Sequence, residues 1–338
     1  MISANCHKSY PVAYRSSDTV VGKRCEKFGT KLMKRLTHKQ ACLVLLASMG
    51  ISLGPLIHVA DATDKFQLAQ AETTTPTRSP ADSAISQGID FVRQGNIKAA
   101  IDTFEKAVSL DEASAAAHYN LGLALRQDEQ IQAAASAFWQ ATQLEPDFVL
   151  AYVNLGAALI DGNNLEQAES YLNRALQLDP ESGLAHYNMG LLLSNQGELE
   201  EALSEFNQAI AYSPSDARPH YYVGVLYQTQ GQYSVAQGAF ENAIALANDY
   251  AEAYYNLGVT LFRQNKPAEA VEQFGRAVEL APNFGHAYYG QGIALADLRR
   301  YEEAKAQLRK ASNVYIAAGD AQWAKTAQSQ IAYIDTLQ

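Results

Sequence analysis

The 338-residue sequence has no cysteine beyond Cys42; its three thiols are Cys6, Cys25 and Cys42. Everything after that point is therefore held without disulfides and without a thiolate metal site, by packing alone. Glycine and proline are sparse, at 21 and 10. From residue 81 onward they return at fixed intervals instead of clustering, which excludes a loop-rich chain and leaves one dominated by the helix formers Ala, Leu, Gln and Glu. Cations are scarce as well. Residues 81–338 carry 15 Lys or Arg against 31 Asp or Glu, a net of −16, and a body of that sign repels phosphate backbones, so nucleic acid is excluded as its partner. The sequence also lacks a Gly-rich phosphate loop, a Gly-x-Ser-x-Gly elbow and a His-Glu-x-x-His pair. With no segment outside the repeats long enough for a catalytic domain, the reading is a non-enzyme with no cofactor and no metal.

The one long apolar run is Ala41 to Ile57, entered from the basic stretch Lys31 to Lys39 and followed by Ala60-Asp61-Ala62. A charged approach, a short apolar core broken by Gly50, Gly54 and Pro55, and a small-x-small triplet form the pattern of a secretory signal, with cleavage expected after Ala62. An uncleaved anchor is the rival, because 17 residues nearly reach the ~20 that span a bilayer; membrane contact would then run only through residues 41–57. Residues 1–40 hold nine Lys or Arg against Asp18 and Glu26. That leaves open whether Met1 or Met33 is the start, and whether the first segment is a separate transit sequence. Either route delivers the rest of the chain out of the cytosol, to a periplasmic or secreted location or an organelle lumen. Residues 1–62 thus read as a targeting segment and 63–80, with the Thr/Pro/Ser-rich stretch Ala71 to Pro80, as a disordered linker.

What fills the remainder is a repeat. Glycines stand at 88, 122, 156, 190, 224, 258 and 292, a constant interval of 34 residues. Twelve residues after each comes an alanine (Ala100 to Ala304) and seven later another (Ala107 to Ala311). Between them, on the same helical face, sits one large apolar residue: Phe104, Phe138, Leu172, Phe206, Phe240, Phe274 or Leu308. Each copy reads as two antiparallel helices whose small residues let the backbones approach while the large ones fill the space around them. Gly95, Gly162-Asn163-Asn164, Gly197 and Gly231 mark the turn between the helices. Pro146, Pro180, Pro214 and Pro282 stop the second helix. Glu112, Asn248 and Ile316 replace that proline, so looser junctions are expected after 112 and 248. The first copy departs by having Gln87 in place of the leucine before its glycine.

This 34-residue period with its Leu-Gly, Tyr, Ala, Phe and Pro positions resembles the tetratricopeptide repeat family. The resemblance covers about three quarters of the chain. It implies an all-α, right-handed superhelical solenoid of about seven helix-turn-helix repeats (81–114, 115–148, 149–182, 183–216, 217–250, 251–284 and 285–318). Residues 319–338 form a C-terminal capping helix, with Trp323, Ala327, Ile331 and Ile334 on its buried face. It also implies an inner groove lined by positions two, five, six, nine, twelve and thirteen of each first helix. From the second copy onward position six is Asn120, Asn154, Asn188, Tyr222, Asn256 and Gly290, and position five is Tyr119, Val153, Tyr187, Tyr221, Tyr255 and Tyr289.

An asparagine amide both donates and accepts, so a row of them can pair with successive peptide groups of an extended ligand while the tyrosines supply flat apolar contact. The row is similar to the asparagine ladder of O-linked N-acetylglucosamine transferase. The alternative is that these asparagines satisfy backbone groups of the repeat itself. Arg126, Arg218 and Arg263 fall at groove positions, but Asp161, Glu252 and Asp297 oppose them, which argues against a receptor for acidic tails. His118, His186 and His220 stand at position four, where other copies have tyrosine, and read as packing residues instead of ligands. The functional expectation is an exported or membrane-anchored scaffold that holds an extended polypeptide or assembly partner. A non-catalytic repeat subunit of a glycosyltransferase or protease system is the alternative, and self-association through the convex face is a third reading.

Overall fold

A computed structural model of the chain describes residues 79–338, where 15 α-helices account for 80% of the residues and no strand occurs. In order they are α1 (Pro80–Arg93), α2 (Ile97–Leu110), α3 (Ala115–Gln127), α4 (Ile131–Leu144), α5 (Val149–Asp161), α6 (Leu165–Leu178), α7 (Gly183–Gln196), α8 (Leu199–Tyr212), α9 (Ala217–Thr229), α10 (Tyr233–Leu246), α11 (Ala251–Arg263), α12 (Pro267–Leu280), α13 (Gly285–Asp297), α14 (Tyr301–Ala317) and α15 (Ala321–Asp335). The targeting segment and most of the linker assigned from sequence lie outside the described residues. Among those described, no helix is long and apolar enough to cross a membrane.

Each odd-numbered helix packs most closely on the even-numbered helix after it, which gives seven antiparallel pairs followed by α15. The periodic glycine explains the closeness. A Cβ placed on Gly224 in α9 would lie 2.6 Å from Cε1 of Phe240 in α10, well inside van der Waals contact, so the ring occupies the space a side chain would need. Gly122, Gly190 and Gly258 stand in the same relation to Phe138, Phe206 and Phe274, and Gly156 to Leu172. Those side chains are completely buried, as are the alanines three residues further along each second helix. Removing such a ring from water stabilises the fold by about 1.5–3 kcal/mol.

The turns differ from the expectation in one respect. A left-handed residue joins the two helices of every pair, glycine at Gly95, Gly197 and Gly231, but Glu129, Asn163, Asn265 and Arg299 elsewhere. Gly162 is not the left-handed residue of its turn: it caps α5 with φ −80°, and Asn163 takes φ 58°. Asparagine tolerates that region better than most side chains, so the freedom that glycine would bring is not required at 162.

Proline is not what ends the second helices either. With Glu112 and Asn248 in its place, α2 and α10 stop at Leu110 and Leu246, the same register as α4, α6, α8 and α12. Their caps Asp111 and Ala247 adopt the extended φ −149° and −136° that turn the chain into the next pair. The junction after Asn248 is not looser, since Tyr250 lies 4.9 Å from Tyr221, the separation found at other junctions. Only at Ile316 does loss of proline lengthen a helix, α14 running on to Ala317.

The array closes as expected on α15, whose Ala324, Ala327 and Ile334 are buried while Trp323 and Ile331 are half-buried. Trp323 meets His286 and Tyr289 edge-on, with ring centres 4.8 and 5.6 Å apart. Lys305, 7% exposed, fastens the far end by ion pairs to Glu302 (2.8 Å) and Asp335 (3.0 Å) and a bond to Gln338 Oε1. Polar Gln87 at the opposite end is exposed, where the equivalent Leu155, Met189, Val223 and Leu257 are buried.

Candidate peptide groove

First helices of successive pairs touch one another at five of the six junctions (α1 to α3, α3 to α5, α5 to α7, α9 to α11 and α11 to α13, with α7 to α9 the exception), whereas no second helix packs comparably on the next second helix. Side-by-side contact along one row and separation along the other curves the array, and the first helices line the inside of the curve. The positions singled out from sequence therefore belong to the inner side.

Burial divides them. Asn120 is fully buried, Asn154 and Asn188 are 9% and 6% exposed, Tyr119 and Tyr289 are fully buried and Tyr187 is 8% exposed. Tyr221, Tyr222, Tyr255 and Asn256, in the fifth and sixth repeats, keep partial exposure, as do Arg126 and Arg263. The amide nitrogens of the asparagines are engaged inside the fold. Each donates to the carbonyl four residues back: Asn120 to Ala116 (2.8 Å), Asn154 to Leu150 (2.9 Å), Asn188 to Leu184 (2.9 Å) and Asn256 to Glu252 (3.0 Å). Two reach back one repeat as well, Asn154 to the Tyr119 hydroxyl at 3.2 Å and Asn256 to the Tyr221 hydroxyl at 3.0 Å.

The tyrosines of position five are the other half of that joint. Tyr119 lies 5.8 Å from Phe138 and 4.9 Å from Phe148, the last residue of its repeat and the cap of α5; Tyr221 repeats this with Phe240 and Tyr250, and Tyr255 with Phe274 and Phe284. Such pairs add about 0.5–1.5 kcal/mol beyond burial. Burial pushes the Tyr255 hydroxyl up to about 12 and raises Tyr221 as well, so both stay neutral. The aromatic at the last position of a repeat was not singled out from sequence. Its signal was there, in Phe148, Tyr250 and Phe284 at intervals of whole repeats.

Two arginines of the inner side are matched within the fold. Arg126 Nε donates to Asp161 at 2.8 Å across the second and third repeats. Arg218 is bidentate on Asp216 and lies 4.7 Å over the Tyr187 ring. Beneath Asn256, Gln228 is 3% exposed and donates to Thr260 Oγ1 (2.7 Å) and to the Asn256 carbonyl (3.0 Å). The histidines of position four have packing partners: His186 meets Glu205 at 2.7 Å and stacks on Tyr212. Burial lowers His220, against the opposing charge of Asp216.

Residues 115–216 hold 14 acidic side chains against Arg126 and Arg174 alone. Most of these carboxylates sit on the second helices and turns, outside the inner row.

The family model described as the C-terminal domain of cilia and flagella-associated protein 70, a tetratricopeptide model, matches residues 40–298, and a single tetratricopeptide repeat model matches residues 285–315. No curated protein matches the sequence. Among solved structures, the chain is similar to one in the APC/C hetero-tetramer Cut9-Hcn1, with a TM-score of 0.59 and 20% identity over 64% of this chain and 42% of that one. It therefore spans about two fifths of that relative. A tetratricopeptide repeat protein from Parabacteroides merdae has a TM-score of 0.56 at 19% identity, covering 73% of this chain and 98% of its own. PilW, a type IV pilus biogenesis factor, has 0.56 at 17%, covering 62% and 98%. At these identities the likeness is one of fold.

Proposed function

This chain belongs to the tetratricopeptide repeat family, and from that premise we propose that it is a non-catalytic interaction scaffold, exported or membrane-anchored, that holds an extended polypeptide against the inner side of its fifth and sixth repeats. The observation that carries this reading is the uneven exposure of the inner row. Tyr221, Tyr222, Tyr255 and Asn256 retain surface, whereas their counterparts in the second and seventh repeats, Tyr119, Asn120 and Tyr289, have none.

At this stretch the available chemistry is flat aromatic edges, the Glu252 and Arg263 side chains, and exposed Thr229 at the rim. Aromatic surface with a few polar anchors suits an extended segment bearing apolar side chains. The concentration of carboxylates in residues 115–216 favours a partner that is neutral or cationic beside that region.

Export is supported by the basic entry and apolar core of residues 31–57 and the Ala60-Asp61-Ala62 triplet. Amino-terminal sequencing of protein recovered from its native host checks it: a start at Thr63 is expected, and an intact amino terminus on a soluble cytosolic protein would overturn it.

The groove is tested by photo-crosslinking from positions 229 and 263 on the inner side and 136 and 204 on the outer side. Crosslinks to a partner polypeptide from the inner pair alone are expected. In protein without crosslinker, the double variant Thr229→Trp, Arg263→Glu should abolish co-purification of that partner at an unchanged melting temperature. Crosslinks from the outer pair alone, or undiminished recovery by the double variant, would show that the inner side is not the docking surface.

A further inference from the structure

The joints between repeats are not equal. Between the second and third, fifth and sixth, and sixth and seventh repeats, a position-five tyrosine lies 4.9 Å from the aromatic residue that ends its repeat and caps the following first helix. The fourth and fifth repeats are joined differently but also through rings: Tyr222 stacks on Phe206 at 5.5 Å and meets Tyr187 at 5.8 Å, with Arg218 over the Tyr187 face.

At the third-to-fourth joint both partners are missing. Val153 stands where the tyrosine would be and Ser182 where the aromatic would be, and Asn188 donates to its own helix at Leu184 with no hydroxyl on Val153 to reach. The apolar core breaks at the same place. One continuous cluster runs from Ala84 through Ala158, and another joins Tyr187 to Ala239. Between them only two small groups cross the joint, Ile160, Ala168 and Leu172 with Met189 and Leu192, and Tyr152, Val153 and Ala175 with Ala185. The first-to-second joint also lacks the ring pair, with Ile85 and Ser114 in those places, but there the continuous cluster passes straight through. Packing of a second helix on the following first helix is thin at α6–α7 and at α8–α9 alike; α5 and α7 touch along the inner side.

We propose that this joint, at Ser182–Gly183, is the hinge of the solenoid. Repeats one to three and four to seven move as two blocks, pivoting where α5 meets α7. The reason is energetic: interfaces without aromatic stacking and with fragmented apolar contact are the first to open in a quasi-linear array. Pivoting at an inner contact changes the spacing of the outer helices most, a closure of the hinge type.

The test uses the full chain with Cys6, Cys25 and Cys42 replaced by serine and spin labels on introduced cysteines. Ser136 and Ser204, exposed on α4 and α8, lie two repeats apart across the joint; Ser204 and Glu272, exposed on α8 and α12, lie two repeats apart without crossing it. The Ser136→Cys, Ser204→Cys pair should give a distance distribution about twofold broader than the Ser204→Cys, Glu272→Cys pair, as expected when one block swings against another. Adding Val153→Tyr and Ser182→Phe supplies the missing ring pair and should narrow the first distribution to the width of the second. Equal widths in the unaltered joint would overturn the proposal. So would an unnarrowed distribution in the filled joint of a variant with unchanged helix content. If the filled joint fails to fold, the two label pairs in the unaltered joint still decide the question.

Discussion

Replacing Gly224 by alanine sets two effects of opposite sign against each other. Gly224 has an ordinary helical conformation, so alanine should strengthen α9 by up to about 1 kcal/mol through propensity. Against that, the new methyl would sit 2.6 Å from Phe240 Cε1, 2.7 Å from Cδ1 and 3.0 Å from Cζ. The ring cannot yield easily, because it is completely buried and packed against Tyr221 at 5.9 Å. Overpacking of this kind costs about 1–3 kcal/mol or more, and with three ring atoms inside contact distance it should outweigh the propensity gain, for a net loss of about 1–2 kcal/mol. Phe240→Ala alone empties the site and should cost about 3–5 kcal/mol. In that background the steric term is gone, so adding Gly224→Ala should stabilise, by up to about 1 kcal/mol. Urea titration followed by circular dichroism, with hydrogen exchange of α9 and α10 to localise the loss, reads all four corners of the cycle. A Gly224→Ala protein more stable than the unaltered chain, or the same sign of effect in both backgrounds, would refute the argument that the ring fixes the glycine.

Further outcomes follow from particular side chains. Glu129 and Arg299 hold φ 60°, so Glu129→Gly and Arg299→Gly should each stabilise by about 1 kcal/mol in thermal denaturation, whereas Gly162→Ala, at φ −80°, should not destabilise. His286 shares a 2.8 Å hydrogen bond with the Tyr315 hydroxyl and lies against Trp323, and burial lowers it below its ordinary value against the opposing charge of Asp320. The unfolded chain then takes up this proton first as pH falls. The stability that neutral His286 gives the capping helix is complete above about pH 6.5 and declines below it. Trp323 fluorescence during melts at about pH 7.5 and 5 should show α15 releasing earlier in acid, and His286→Phe should flatten that dependence. Lys305→Met breaks the ion pairs to Glu302 and Asp335, and limited proteolysis should then remove α15 sooner than in the unaltered protein.

The 34-residue recurrence of glycine, alanine and a large apolar residue was enough to determine helix pairs and their register, because each of those positions is governed by contacts inside one repeat unit, and the apolar face of Trp323, Ala327, Ile331 and Ile334 was enough for the closing helix. A glycine facing a phenylalanine sixteen residues later has the same neighbours in every copy, so pattern alone reveals the contact. What only the tertiary structure decided are the relations between units. The groove asparagines looked like free amides in a row; folded, Asn154 and Asn256 spend their donors on tyrosines 35 residues away in the preceding repeat, and no periodicity shows where a side chain spends its bonds. The turn at Gly162 passed its left-handed residue to Asn163, and α2 and α10 ended in register without proline, because packing of the next pair fixes the chain's path regardless of the local stop signal. The unequal joints belong to the same class: Val153 and Ser182 are unremarkable as sequence, and their meaning emerges only where two repeats meet with no ring between them.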